Sequence, residues 1–226
     1  MLEQGITYNT TMGLAAGAIM LLLVVFARVV QRPDRGPLEG WGWMFAALGL
    51  ILAITGTHMS LTWPLKQIEG APCCAVDNVA FGEPAMLFGF LVLFGAIAII
   101  RGERAAFDRG VDFDIVATVR PMLYAGAFGG IGLIMIGIAG IQFGMWGPPP
   151  PTEPIARLMG DSIVERFYVA GTYAVTGLAA ITAPFAPEHR ITGRVFAAAL
   201  LVGGMSWTFL AITLFYGHIG FFPFPG

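Results

Sequence analysis

The amino-acid composition excludes an ordinary soluble domain. Of the 226 residues, 57% are hydrophobic and only 12% are charged, whereas charged residues make up about 25% of a typical soluble chain. The net charge is −2, and no basic patch is interleaved with aromatic residues, so we predict no nucleic-acid partner. The lipid bilayer is the predicted surrounding of the chain.

Six apolar segments follow one another along the chain, each near the length of about 20 residues with which a helix crosses a bilayer. They run over residues 12–31, 42–63, 83–101, 121–145, 166–186 and 195–219. Proline, glycine and charged residues fill the intervals between them, and no interval is long enough for a soluble domain. We therefore predict one all-α domain, residues 1–226, built as a polytopic membrane bundle of six transmembrane helices.

Arginine and lysine divide unequally between the two sides that these spans define. Nine of the twelve lie on the side of loops 1–2, 3–4 and 5–6, and three lie on the other side. Cytoplasmic loops of membrane proteins carry the excess of these residues. We therefore predict that both termini lie outside the cytoplasm.

The second span carries polar residues near its outer end, in the segment LAITGTHMSLTWPL (52–65). Thr55, His58 and Thr62 are spaced i, i+3 and i+7, so they share one face of a helix. Polar stripes on membrane helices usually face the bundle interior or a water-filled cavity. The simplest interpretation is that His58 is hydrogen-bonded to a threonine or a backbone carbonyl of a neighbouring helix.

The passage into the third span holds two features of interest. Cys73 and Cys74 are adjacent in an outer loop, and a strained vicinal disulfide, a soft metal such as Cu(I) and shielded thiols all remain open. Glu83 begins the predicted span and Pro84 follows it, a pattern typical of the first turn of a helix. Helix capping is the default role of Glu83, and carrying a proton or binding a cation or quinol is the alternative.

The fourth span repeats the pattern of the second. GLILAITGTHMSLTW (49–63) and GLIMIGIAGIQFGMW (132–146) align without a gap at an offset of 83 residues. We therefore predict that spans 2–3 and spans 4–5 form two similar hairpins in parallel orientation. Glycines four apart, such as Gly126 and Gly130, predict close helix packing. Gln142 adds a polar side chain near the outer end of this span.

The segment WGPPPPTEP (146–154) follows the fourth span on the outer side. Its prolines make it stiff and extended, and they remove backbone donors. It is predicted to act as a rigid lid, or alternatively as a docking strip for an extracytoplasmic protein.

The fifth span carries a second polar stripe. Glu165, Tyr168 and Thr172 are spaced i, i+3 and i+7, which again places them on one helix face. Ser162 and Glu165 fit the S-x-x-E capping box, so capping is the default role of Glu165. A carboxylate that carries a proton or binds a cation or quinol is the alternative here too.

The sixth span ends on His218, at a depth similar to that of His58. Imidazole is a common ligand of haem iron and of other metals. The two histidines are therefore candidate ligands of haem b or copper, although ordinary hydrogen bonding within the bundle is the simpler interpretation.

Three stretches resemble a known family. They are YNTTMGLAAG (8–17), THMSLTWPL (57–65) and NVAFGEPAMLFGFLVL (78–93). They are similar to an uncharacterised family of small polytopic membrane proteins of bacteria and archaea, the domain of unknown function nine-eight-one, chiefly over the first half of the chain. The resemblance implies a helical bundle in a prokaryotic plasma membrane, and it implies no activity and no catalytic residue.

Three functions are compatible with the sequence. The first is an accessory subunit of a larger membrane complex that converts energy or performs redox chemistry, because the loops are short and no complete catalytic motif is present. The second is a small redox protein that holds haem or metal and interacts with quinol. The third is a small transporter, which the sequence favours least because no charged residue lies near the middle of a span.

Overall fold

The computed structural model describes residues 9–62, 73–145 and 162–219, with side chains described over 10–61, 79–145 and 163–213. Six long helices make up these ranges, and a short 3-10 turn, Ala183–Phe185, follows the fifth. The helices are α1 (Asn9–Val30), α2 (Glu39–Thr62), α3 (Cys73–Asp108), α4 (Ile115–Phe143), α5 (Ser162–Thr182) and α6 (Arg190–Ile219). The predicted all-α class is confirmed.

The boundaries of α3 differ most from the predicted span. The helix has 36 residues, which makes it about 54 Å long at about 1.5 Å per residue. It begins ten residues before Glu83 and continues past Arg101 to Asp108. The prediction that Glu83 and Pro84 form the first turn of a helix is therefore wrong, because Pro84 lies in the helix interior. Hydropathy marks where the apolar stretch ends, and a helix can continue through the polar residues beyond it.

Five of the described helices are long and apolar enough to cross a membrane. These candidate spans are Thr10–Val30, Glu39–Leu61, Val79–Asp108, Ile115–Phe143 and Arg190–Thr213. A chain with five such helices is a membrane protein. The helix outside this set is α5. It holds Glu165 and Arg166 near its start, and five hydroxyl residues farther along lower its mean hydropathy.

The six helices form a closed ring. Each helix packs against its neighbours in chain order, and α6 closes the ring by packing against α1. Apart from a slight contact between α1 and α3, the backbones of the described helices do not approach one another across the ring. The most extensive contacts are those of α2 with α3, α4 with α5, and α1 with α6. The bundle is thus three close helix pairs joined by looser interfaces.

Glycine creates each close pair. A Cβ atom at Gly89 would lie 2.3 Å from the backbone nitrogen of Ala53, between α2 and α3. A Cβ atom at Gly177 would lie 2.5 Å from the carbonyl oxygen of Gly130, between α4 and α5. A Cβ atom at Gly17 would lie 2.9 Å from the carbonyl oxygen of Gly204, between α1 and α6. Only residues without a side chain allow backbones to approach this closely.

The glycine contacts also fix the register of the two hairpins. In α2, Gly49 and Gly56 face α3, and in α4, Gly130 and Gly137 face α5. Gly49 matches Gly130 and Gly56 matches Gly137, so these contacts correspond at an offset of 81 residues. The sequence alignment has an offset of 83 residues, and two residues turn a helix by about 200° at 3.6 residues per turn. The shared letters therefore do not mark the faces that pack.

Polar contacts join the helix ends on the arginine-rich side. The Glu103 carboxylate accepts the backbone N–H of Leu38, at 2.9 and 2.8 Å to its two oxygens. It also lies 3.5 Å from the Arg35 guanidinium. A second ion pair joins Arg120 to Glu188 at 2.8 Å. Glu103 of α3 thereby satisfies a donor at the N-terminus of α2, which the helix itself leaves without a partner.

Candidate functional site

The polar stripe predicted on α2 does not face the bundle interior as a unit. Phe45, Leu52 and Met59 form the buried face of this helix. His58 is exposed on the opposite side, near Ile54. Thr55 donates to the carbonyl oxygen of Ile51 at 2.6 Å, within its own helix. His58 therefore does not lie on the buried face of α2, and the side chain of Thr62 lies outside the described residues.

Glu83 and Gln142 are exposed in the same way. Glu83 continues an outward stripe of α3 that consists of Leu87, Phe90, Phe94 and Ile97. Gln142 continues an outward stripe of α4 that consists of Tyr124, Phe128, Ile131, Met135 and Ile138. Both stripes follow the spacing of one helix face, i, i+4, i+7 and i+11. These two polar side chains therefore point away from the ring.

The proposed histidine pair lies on helices that are not neighbours. His58 belongs to α2 and His218 to α6, and α1 packs against both of these helices in the ring. The side chain of His218 lies outside the described residues. Among the side chains that the structure describes, no three His, Cys, Asp or Glu residues lie close enough together to hold a metal ion. Haem or copper ligation by these histidines stays a prediction.

The stripe on α5 forms a polar seam with α6. The Tyr168 hydroxyl donates to the carbonyl oxygen of Ser206 at 2.9 Å. The Thr172 and Ser206 hydroxyls lie 2.6 Å apart, and Thr172 is only 3% exposed. The Trp207 indole N–H donates to the Thr176 hydroxyl at 2.9 Å. Glu165 is half-buried at the start of α5, so this helix turns most of its polar groups toward protein.

Tyr173 makes a buried side-chain hydrogen bond to α3 that sequence reasoning missed. This residue is 1% exposed, and its hydroxyl donates to the carbonyl oxygen of Ala80 at 2.9 Å. In a regular helix that carbonyl would accept the N–H of residue 84, but Pro84 has no N–H. Tyr173 therefore satisfies the acceptor that Pro84 leaves open. A proline inside an apolar segment is the signal that could have indicated a partner from another helix.

Three aromatic rings meet where α3, α5 and α6 come together. Tyr173 and Trp207 are in edge-to-face contact with ring centroids 5.3 Å apart. Phe81 lies 6.0 Å from Tyr173 and 6.2 Å from Trp207. These separations are in the range of favourable aromatic pairs. The cluster packs three helices together on the inner side of the ring.

A central cavity of about 310 Å³ lies inside the ring. All six helices contribute to its wall, which includes Met12, Phe45, Phe88, Gly126 and Trp207. Among the side chains that the structure describes, Tyr173, which is hydrogen-bonded, is the one ionisable group in this wall. The cavity falls in the usual size range of ligand pockets, about 300–1,000 Å³, and its wall offers apolar contact. Chemically it can hold a hydrocarbon group and offers no charge to an ion.

Comparison with known proteins identifies one family. The family described as "Protein of unknown function (DUF981)" matches residues 5–220, so the likeness covers nearly the whole chain and not chiefly its first half. No curated protein and no solved structure matches the chain. The chain is a helical membrane protein that belongs to the DUF981 family.

Proposed function

We propose that the protein is a six-span subunit of a larger assembly in a prokaryotic plasma membrane, one that converts energy or performs redox chemistry. The helix α5 lies between α4 and α6 in the ring and turns its polar groups toward α6, so its low hydropathy is compatible with a sixth span. The excess of arginine at one end favours both termini on the extracytoplasmic side.

The observation that carries this proposal is the exposure of polar side chains inside candidate spans. Glu83 and Gln142 are exposed, and each lies within a helix that is apolar enough to cross the membrane. Glu83 lies four residues after the start of its candidate span, and Gln142 lies one residue before the end of its own.

Both positions are near the membrane interface. The adjoining hydrocarbon offers no hydrogen-bond partner, so the two groups favour contact with water or with polar groups of another protein. The outward stripes of α3 and α4 supply apolar contact next to them.

The two other functions have less support. A redox protein that holds haem or copper between His58 and His218 requires ligands from helices that are separated in the ring by α1. An absorption spectrum of the purified protein tests it directly. A transporter of ions requires a polar pathway, and the wall of the central cavity is apolar. The segment 146–154, proposed to dock an extracytoplasmic protein, lies outside the described residues.

Site-specific crosslinking tests the assembly. A photoactivatable amino acid is placed at Glu83 or Gln142 in the native membrane, and at Met205 as a matched control. Met205 is 57% exposed on the outward face of α6, away from the polar stripes. We expect crosslinks to a different protein from positions 83 and 142 and none from position 205. We also expect the protein to co-migrate with that partner in mild detergent.

Two results would contradict the proposal. One is crosslinking of positions 83 and 142 to lipid alone, with the protein migrating at the size of its own 24.1 kDa chain. The other is crosslinking solely to a second copy of this chain, which would indicate a homo-oligomer in place of a mixed assembly.

A further inference from the structure

The central cavity is long and narrow. Its wall extends along α1 from Met12 to Phe26 and along α3 from Phe81 to Ile99. At about 1.5 Å per residue these stretches are about 21 Å and about 27 Å long. A volume of about 310 Å³ spread over about 21 Å gives a mean cross-section of about 15 Å². An aliphatic chain has a similar cross-section, since carbon atoms pack about 4 Å apart.

The polar side chains in the described wall of the cavity are already paired within the protein. Tyr173 donates to the carbonyl oxygen of Ala80, and Trp207 donates to Thr176. Thr176 in turn donates to the carbonyl oxygen of Thr172 at 2.7 Å. The polar atoms of these three side chains are therefore occupied within the protein. An occupant gains only apolar contact over the length of the cavity.

Physical grounds favour a hydrocarbon occupant over water. Apolar cavities of protein interiors stay dry, because water inside them would lack hydrogen-bond partners. An empty cavity of this size would leave the atoms of its wall without contacts on one side. The surrounding bilayer supplies hydrocarbon chains at high concentration.

The interface between α3 and α4 offers an entrance from the bilayer. At this interface a Cβ atom on Gly126 would lie 3.8 Å from the side chains of Leu91 and Phe88. A Cβ atom on Gly95 would lie 3.6 Å from the sulfur of Met122. Only side-chain tips approach here, whereas in the close pairs backbone meets backbone. The same residues line the cavity, so side-chain rotation alone would open it toward lipid.

We propose that the cavity binds one aliphatic chain of a membrane lipid, acyl or isoprenoid, which enters between α3 and α4. The headgroup stays outside the cavity, because the polar side chains of the described wall are already paired. The site is independent of any partner subunit, since it lies inside the ring and the proposed interface lies on its outer face.

Two substitutions of the same kind on one helix test the proposal. Gly126→Leu places a side chain into the cavity, where its Cβ atom would make only ordinary van der Waals contacts. Gly132→Leu is the control, because this glycine is exposed and has no atom within 4 Å of a Cβ position. The full chain is delipidated in detergent and titrated with stearic acid, a dioleoyl phospholipid or farnesol, and adducts are counted by native mass spectrometry.

We expect a one-to-one adduct with at least one probe, weakened by about tenfold or more in Gly126→Leu and unchanged in Gly132→Leu. The probe that binds best identifies the source as a free fatty acid, a phospholipid or an isoprenoid. Equal binding by the two variants, or no adduct with any probe in the unaltered protein, would overturn the proposal. If Gly126→Leu fails to fold, Leu123→Phe places a larger side chain in the same wall of the cavity, and the same criteria apply to it.

Discussion

Replacing Tyr173 with phenylalanine isolates the hydrogen bond that compensates for Pro84. The ring and its aromatic contacts remain, and only the hydroxyl that lies 2.9 Å from the carbonyl oxygen of Ala80 is lost. Hydrogen bonds between membrane helices contribute about 0.6 kcal/mol on average and up to about 1.7 kcal/mol. The acceptor here is buried and has no helical donor, so we expect a loss near the upper value, about 1.5 kcal/mol, or a factor of about 12 in the folding equilibrium.

A double-mutant cycle tests this explanation. Pro84→Ala restores a backbone N–H at residue 84. The carbonyl oxygen of Ala80 can then accept this N–H, as in a regular helix. In that background Tyr173→Phe is expected to cost less than about 0.5 kcal/mol, since the acceptor keeps a partner. Reversible unfolding in mixed micelles, followed by circular dichroism, measures all four proteins. Tyr124→Phe is the control, because Tyr124 is 44% exposed. An equal cost of Tyr173→Phe with and without Pro84 would refute the reasoning.

Three further substitutions probe the packing of the ring. Gly89→Ala should destabilise the protein by about 1–3 kcal/mol, because its Cβ atom would lie 2.3 Å from the backbone of α2. Gly132→Ala, on an open face, should be neutral or stabilising in the same unfolding assay. Glu103→Ala should lower the free energy of unfolding by about 1–2 kcal/mol, because it removes the acceptor at the start of α2, and Glu103→Gln, which keeps an acceptor oxygen, should lower it less. Trp207→Phe should lower the free energy of unfolding by about 1 kcal/mol, because it removes the N–H that the Thr176 hydroxyl accepts. A larger loss from Trp207→Phe in a Thr176→Val background than in the unaltered protein would contradict this account.

Several outward positions show where sequence reasoning reached its limit. Periodicity places Thr55, His58 and Thr62 on one helix face, but it does not say which direction that face points. The rule that polar stripes face the interior holds for α5, where Tyr168 and Thr172 contact α6. His58 does not lie on the buried face of α2, which consists of Phe45, Leu52 and Met59. A single helix carries no information about where its neighbours are.

The glycine pattern shows the same limit. Its presence predicts that backbones approach closely, and the structure confirms that they do. Which glycines meet is decided by helix rotation, and a shift of two residues separates the sequence alignment of the hairpins from the register of their contacts. Identical letters in apolar segments therefore indicate shared composition more safely than a shared packing face.

Composition by itself determined that this chain is an α-helical membrane protein, because few charged residues and long apolar stretches are stable as helices in a bilayer. It also determined approximate positions for the six helices and a candidate orientation from the distribution of arginine. Only the tertiary structure decided that the helices close into a ring, that Tyr173 pairs with the carbonyl oxygen that Pro84 leaves open, and that an apolar cavity remains at the centre. These features depend on distances between residues far apart in the chain, which local hydropathy and periodicity do not encode.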